Sequence, residues 1–310
     1  MAGSLRKTLV RTALRAVTRP LARADLPLAV QRAALDSAGR TMRKPRGLRI
    51  DNTALAGLPA RLLTPRDALP ARHVLYLHGG AYIEGSTTSH TPLAGQVAAA
   101  ARARAWLVDY RLAPEHPYPA AVDDAVAAYG ALLAQGIDAR HIAIVGDSAG
   151  GGLALAAALA LHDARLPMPA ALVLLSPWTD LTLSGRSMQA KEDAEPMLNG
   201  PWLDWAAGLY CGGRDDGPVT PRTHPGVSPL FADLSGLPPL LIQAGSEEIL
   251  LDDSTFLAER ARRAGVAVTL HVYDDLWHVF QAQAGLIAEA DEALAEIGAF
   301  IATHCRAGSA

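Results

Sequence analysis

The sequence predicts an α/β fold, a mostly parallel eight-stranded sheet with helices on both faces, and three observations carry that expectation. Short β-branched or leucine-rich runs alternate with longer helix-period stretches through most of the 310 residues, the signature of strand–helix–strand units rather than hairpins. Half of the residues are hydrophobic and 19% are charged, enough apolar material for one large core or two modest ones. The residues best suited to chemistry each fall just past a strand candidate, and in parallel sheets reactive groups gather at the carboxyl ends of the strands.

Taken in order, Leu48 to Leu55 and Ala60 to Thr64 read as two short strands around Ala-Gly-Leu-Pro. The apolar run His73 to Leu77 is the third strand and stops abruptly at His78-Gly79-Gly80-Ala81-Tyr82. A helix over Thr91 to Ala103 leads to a strand over Ala105 to Tyr110. The next segment, Arg111 to Pro119, is not helical, because Pro114, Pro117 and Pro119 remove donors and restrict their neighbours. Helical spacing returns from Ala120 to Ala134.

The β-branched run after His141 enters Gly146-Asp147-Ser148-Ala149-Gly150, and an Ala/Leu helix follows from Leu153 to Leu161. Strand, sharp turn, helix is the reading, with Ser148 at the apex and small residues around it for steric reasons. Ala171 to Leu175 is another strand, closed by Ser176-Pro177-Trp178. Gly185 to Gly226 is rich in Gly, Pro, Trp and Met, with no strand and one helix at Pro201 to Tyr210. Pro239 to Ala244 is a strand, Asp252 to Ala264 a helix and Val266 to Tyr273 the last strand. In the closing helix Leu286, Ile287, Ala290, Leu294, Ile297 and Ile301 line one face, with Glu289, Glu292 and Glu296 opposite.

Charge and cysteine content exclude several classes. A net charge of −3 gives no pull toward nucleic acid. The two cysteines, Cys211 and Cys305, stand far apart, which argues against a zinc site, a disulfide framework or an oxidising compartment and for a cytoplasmic one. The amino end is strongly basic, from Arg6, Lys7, Arg11, Arg15 and Arg19 on to Arg49, against two acids, Asp25 and Asp36. Leu5, Leu9, Leu14 and Val17 recur at helical spacing among them. This reads as an amphipathic helix packed over the domain with its basic face in water, rather than a membrane-surface helix. No run is long and apolar enough for stable membrane insertion.

A serine hydroxyl is a weak nucleophile without a base. Among the ten histidines, His278 falls just past the last strand and fits that role; His78 opens a Gly-Gly loop and braces it; His90 lies in a loop-like or surface-like context. The base needs an acid to fix its tautomer. The loop after Ala244 supplies Glu247, Glu248, Asp252 and Asp253. The two aspartates fit the first turn of the next helix, which leaves Glu247 or Glu248. Gly79 and Gly80, with unobstructed N–H groups, join the N–H of Ala149 as donors to an oxyanion beside Ser148.

Together, the His78-Gly79-Gly80-Ala81 loop, the Gly146-Asp147-Ser148-Ala149-Gly150 elbow and the late His278 resemble the hormone-sensitive-lipase-like (GDXG) carboxylesterases of the α/β-hydrolase fold. Asp109 to Glu115 and Ser176 to Asp180 are similar to further family segments. The family's Asp-x-Leu-x-Asp motif falls on Glu248-Ile249-Leu250-Leu251-Asp252, so the resemblance puts Glu248 in the acid position, with glutamate for the commoner aspartate. It also implies a helical cap. The expected division is 1–47 for N-terminal cap helices, 48–184 and 227–310 for the catalytic core, and 185–226 for a cap insertion.

By that resemblance the chain is a serine esterase acting on short- to medium-chain esters, with Ser148, His278 and Glu248 as its triad and no metal or cofactor. The substrate is a small apolar ester or lactone, and the family also allows a homodimer. Tyr82, Trp202, Trp205 and Leu209 are candidates for an apolar pocket. Lactone or acetyl-ester hydrolysis by the same triad is the alternative. A non-catalytic ligand binder would be expected to lose the base, and His278 is present.

Overall fold

The computed structural model describes residues 2–213 and 218–305. Residues 214–217, within the expected cap insertion, and the chain ends at 1 and 306–310 lie outside the described residues. The strands are β1 (Arg49–Leu55), β2 (Leu58–Thr64), β3 (His73–Leu77), β4 (Arg104–Val108), β5 (Ile142–Asp147), β6 (Ala171–Leu175), β7 (Leu240–Gly245) and β8 (Val268–Tyr273). They form one sheet in the order β1-β2-β4-β3-β5-β6-β7-β8. The pairings of β2 with β1 and β4 are antiparallel, and the rest are parallel.

The helices are α1 (Ala2–Val17), α2 (Leu28–Thr41), α3 (Thr87–Ala101), α4 (Ala120–Ala134), α5 (Ala149–Asp163), α6 (Ser187–Ala190), α7 (Gly200–Tyr210), α8 (Leu251–Arg263) and α9 (Ala288–His304). Helix α3 begins earlier than its apolar spacing predicts. Ser86 caps it through a reciprocal bond with Ser89, a signal carried by hydroxyls rather than by hydrophobic period. None of the described helices is long and apolar enough to cross a membrane.

Strand alternation divides the core. Leu75, Leu77, Ile142, Ile144, Leu172 and Leu174 face one apolar layer, and Val74, Tyr76, Ala143, Val145, Ala171 and Val173 face the other. Such strands are buried on both faces, and each fully buried aliphatic contributes about 1.5–3 kcal/mol. Helix α9 covers the second layer through Leu294, Ile297 and Ile301. Leu286, expected on that buried face, is 54% exposed, because α9 starts two residues later and Leu286 stays in the preceding turn.

Helix α1 reverses its expected orientation. Lys7, Arg11 and Arg15, each one turn apart, and Arg19 just past the helix end point toward the protein. Lys7 pairs with Glu289 at 3.1 Å, Arg11 with Asp275 at 2.7 Å and Arg19 with Glu192 at 2.8 Å. Arg15 donates to the carbonyls of Asp193 and Glu195. Leu5, Leu9 and Val17 face outward, and only Leu14 of the apolar series packs inward. The surface beneath α1 is acidic and rich in free carbonyls, so it takes the cationic face.

Register fixes the position of the site. Leu77 aligns with Gly146, Asp147 with Leu175, and Gly245 with Tyr273. The loops opening at His78, Ser148, Ser176, Ser246 and Asp274 therefore emerge along one edge of the sheet.

Candidate active site

Ser148 caps α5 at φ 54° and ψ −124°, a conformation that L-residues avoid. Its neighbours over-determine it. The Ser148 N–H donates to the Leu175 carbonyl at 2.8 Å, and its own carbonyl accepts from Gly151, Gly152 and Trp178. A Cβ at Gly146 would overlap the Gly150 carbonyl, and one at Gly150 would overlap the carbonyls of Leu77 and His78. The two glycines let β5 turn into α5 against the end of β3.

His278 lies behind β8, with Nδ1 3.3 Å from Glu248 Oε2, and both side chains are buried. That separation is within ion-pair reach and longer than an ideal charged hydrogen bond. Burial pulls the His278 imidazole down, but the close contact with Glu248 and the charges of Glu248, Glu195 and Asp147 outweigh it and leave it above its ordinary value. Glu247 points elsewhere and pairs with Lys191 at 3.1 Å. Asp252 accepts from the Ser187 N–H, and Asp253 from the N–H groups of Thr179 and Asp180, so both hold backbone. Desolvation pushes Asp253 up to about 8.

The backbone around His278 is held by two groups that the sequence reading missed. Glu195 Oε2 accepts from the His278 N–H at 3.3 Å while its Oε1 accepts from the Met197 N–H at 2.8 Å. Val279, at φ 49°, donates its N–H to Ser176 Oγ at 3.0 Å. Glu195 is fully buried, and desolvation, only partly offset by His278, pushes it up to about 7. Nothing in Ala194-Glu195-Pro196-Met197 separates this acid from Glu192 or Asp193 by type or spacing. Its role follows from a tertiary contact.

A second missed network lies under the serine. Asp147 Oδ1 accepts from Tyr76 at 2.8 Å and from the Gly79 N–H at 3.2 Å, while Oδ2 lies 3.3 Å from His90 Nε2. Burial alone would raise Asp147, yet the His90 charge and these bonds hold it below the ordinary carboxylate value. His90 in turn sits above the usual imidazole value, since Asp147 and Glu84 outweigh its desolvation. His90 is therefore a half-buried partner of Asp147 on the first turns of α3 rather than a surface residue.

His78 is buried and stacks on Tyr110 at 4.2 Å, and its Nδ1 lies 2.8 Å from the Gly79 carbonyl. Desolvation drives it down to about 3, so the ring is neutral and structural. Gly79 does not join a free donor pair, because its N–H is committed to Asp147. Gly80 and the next residue, Ala81, line the cavity instead, at φ 117° and 50°. Among the described residues neither N–H has a hydrogen-bond partner. As the first residue of α5, Ala149 also has an N–H with no intrahelical acceptor.

Ser148, His278, Gly80, Ala81 and His90 meet in a cavity of about 200 Å³. Its apolar walls come from Leu14 of α1, Leu35 of α2, Met42 just past the end of α2, and Met197, Leu198 and Trp202. Of the four residues expected to form the pocket, only Trp202 lines it. Tyr82 is buried under its loop and stacks on Tyr210 at 3.8 Å, and Leu209 and Trp205 pack into the core. Helix α7 thus presents one residue to the cavity and most of its apolar face to the protein. Among the described residues no three His, Cys, Asp or Glu side chains converge where a metal ion could sit.

Comparison with known proteins agrees with this fold. The profile of the α/β-hydrolase fold family matches residues 74–282. An acetyl-hydrolase of Streptomyces hygroscopicus is 45% identical over 232 residues, 75% of this chain and 76% of that protein. An esterase of Acinetobacter venetianus is 39% identical over 287 residues, 93% of each chain. A solved esterase of the bacterial hormone-sensitive lipase family superimposes with a TM-score of 0.91 at 39% identity, over 99% of this chain and 100% of its own. The chain therefore belongs to the α/β-hydrolase fold family, as a hormone-sensitive-lipase-like carboxylic-ester hydrolase.

Proposed function

We propose that Ser148 is the nucleophile, His278 its general base and Glu248 the orienting acid, and that the chain hydrolyses small esters, acetyl esters foremost. The observation that carries this reading is the convergence of a serine held at positive φ on a strand-to-helix turn and a buried histidine–glutamate pair. His278 takes the hydroxyl proton as Ser148 Oγ attacks the ester carbonyl. The oxyanion accepts from the N–H groups of Gly80, Ala81 and Ala149, a revised set in which Ala81 replaces Gly79. Collapse releases the alcohol, protonated by His278. Water then attacks the acyl-enzyme with the same histidine as base.

Size supports a small substrate. The cavity of about 200 Å³ lies below the ~300–1,000 Å³ of drug-sized sites. Its apolar walls suit an uncharged acyl or alcohol group, and the acetyl-hydrolase relative fits that reading. The test is a series of p-nitrophenyl esters from acetate to octanoate, with γ- and δ-lactones as a second arm. The expected maximum is at acetate to butyrate, and a maximum at octanoate, or on a lactone, contradicts this proposal. In the same assay Ser148→Ala should lower kcat by on the order of 10⁶.

A further inference from the structure

One charged group in the cavity has no part in this mechanism. Glu84 follows the Gly80 turn, with its N–H on the Gly80 carbonyl at 2.9 Å. It lines the cavity of Ser148 and also a second cavity of about 130 Å³ beneath α1 and α2. Leu35, Ala38, Met197, Leu198 and Trp202 line both spaces as well. Glu84 thus stands among apolar side chains at the junction of an inner and an outer chamber. Among the described residues its carboxylate has neither an ion pair nor a hydrogen bond.

The two cations whose charge acts on it are committed elsewhere. Arg32 donates to the Ile83 carbonyl at 2.7 Å, to the Ala113 carbonyl at 3.0 Å and to both Glu115 oxygens. His90 is held by Asp147 and by Ser89 Oγ at 2.8 Å. The desolvation of Glu84 outweighs the pull of both cations and pushes its carboxyl up to about 7. A half-desolvated carboxyl without a partner is costly, and a partner brought by a ligand removes that cost.

We infer that Glu84 is a specificity-determining residue that selects esters carrying a hydrogen-bond donor, a hydroxyl or an ammonium group, on the part of the substrate remote from the scissile carbonyl. This rests on the proposed site at Ser148. An ester bound with its carbonyl beside Ser148 extends one arm along the apolar wall toward the junction, where Glu84 accepts from the distal group. A plain alkyl arm leaves the carboxyl unpartnered.

The test uses matched pairs at pH 8, with kcat/KM compared within each pair on the same protein so that general effects cancel. The acyl arm compares p-nitrophenyl 6-hydroxyhexanoate with p-nitrophenyl hexanoate. The alcohol arm compares 6-hydroxyhexyl acetate and 6-(dimethylamino)hexyl acetate with hexyl acetate. In the wild type at least one donor-bearing ester should be preferred by about tenfold to a hundredfold, the range of a hydrogen bond to a charged group. In Glu84→Leu the preference should collapse toward one. Glu84→Gln, which keeps an acceptor without the charge, should retain a hydroxyl preference and lose an ammonium preference. No preference in either wild-type arm, or a preference that survives Glu84→Leu, overturns the inference. Wild-type hydrolysis of the plain esters keeps the two readings apart: where those esters turn over without discrimination, Glu84 alone is misassigned. Where no ester turns over, the proposed function falls and takes Glu84 with it.

Discussion

Glu247 and Glu248 are adjacent and identical in type, yet one pairs with Lys191 at the surface and the other is buried 3.3 Å from His278. The two acids should therefore separate cleanly by mutation. Glu248→Gln is expected to lower kcat by on the order of 10⁴, the scale of losing a triad acid, and Glu247→Gln by less than about threefold, as for a half-buried ion pair away from the cavity. Assay of both on p-nitrophenyl acetate decides it, and the reverse ranking contradicts the assignment. The pH profile tests the same pair. A general base works when neutral, so activity is lost as pH falls through its folded pKa. Because Glu248, Glu195 and Asp147 hold His278 above its ordinary value, the acid limb of kcat/KM should have its midpoint above ~6.5. In Glu248→Gln that midpoint should move down. A wild-type midpoint below the ordinary value would contradict the geometry.

At the scale of elements, α1 carries the main departure from expectation. Its sequence period is legible, but a period does not say which face meets the protein, and both faces of α1 qualify. The choice follows from the carboxylates and carbonyls of Asp275, Glu289, Glu192, Asp193 and Glu195, scattered through the chain and gathered only by folding. The orientation can be tested by charge insertion. Leu9 is 61% exposed, so Leu9→Glu should leave the thermal midpoint nearly unchanged. Leu14 packs beside Trp277 and Phe280 and lines the cavity, so Leu14→Glu should cost about 1–3 kcal/mol and reduce activity. Thermal denaturation followed by circular dichroism checks both, and equal effects would contradict the orientation. Helix α7 teaches the same lesson, since Trp202 and Trp205 are indistinguishable in sequence, yet only Trp202 reaches the cavity.

Across the whole molecule, the parallel part of the sheet was readable because the strands from β3 to β8 are short, largely apolar and separated by helices. The elbow and the His78 loop were readable too, since both rest on glycines with local steric reasons. What sequence did not reveal depends on register between distant strands. Asp147 reaches Tyr76, Gly79 and His90 only because β5 lies beside β3. That contact removes Gly79 from the donor set, a consequence invisible in His78-Gly79-Gly80 alone. The same closeness makes Gly150→Ala a test of the packing, because its Cβ would meet the end of β3. The expected cost is about 1–3 kcal/mol, as for overpacking a filled core. It would be read as a lower denaturation midpoint with a larger loss of activity, and an unchanged midpoint would contradict the contact.

The central claim is that Ser148 is the nucleophile, and covalent labelling with a fluorophosphonate probe tests it most directly. Mass spectrometry of the intact protein should show a single adduct, peptide mapping should place it on Ser148, and Ser148→Ala should neither label nor turn over p-nitrophenyl acetate. An active protein that takes no label, or an adduct on another residue with Ser148→Ala still active, would contradict the account.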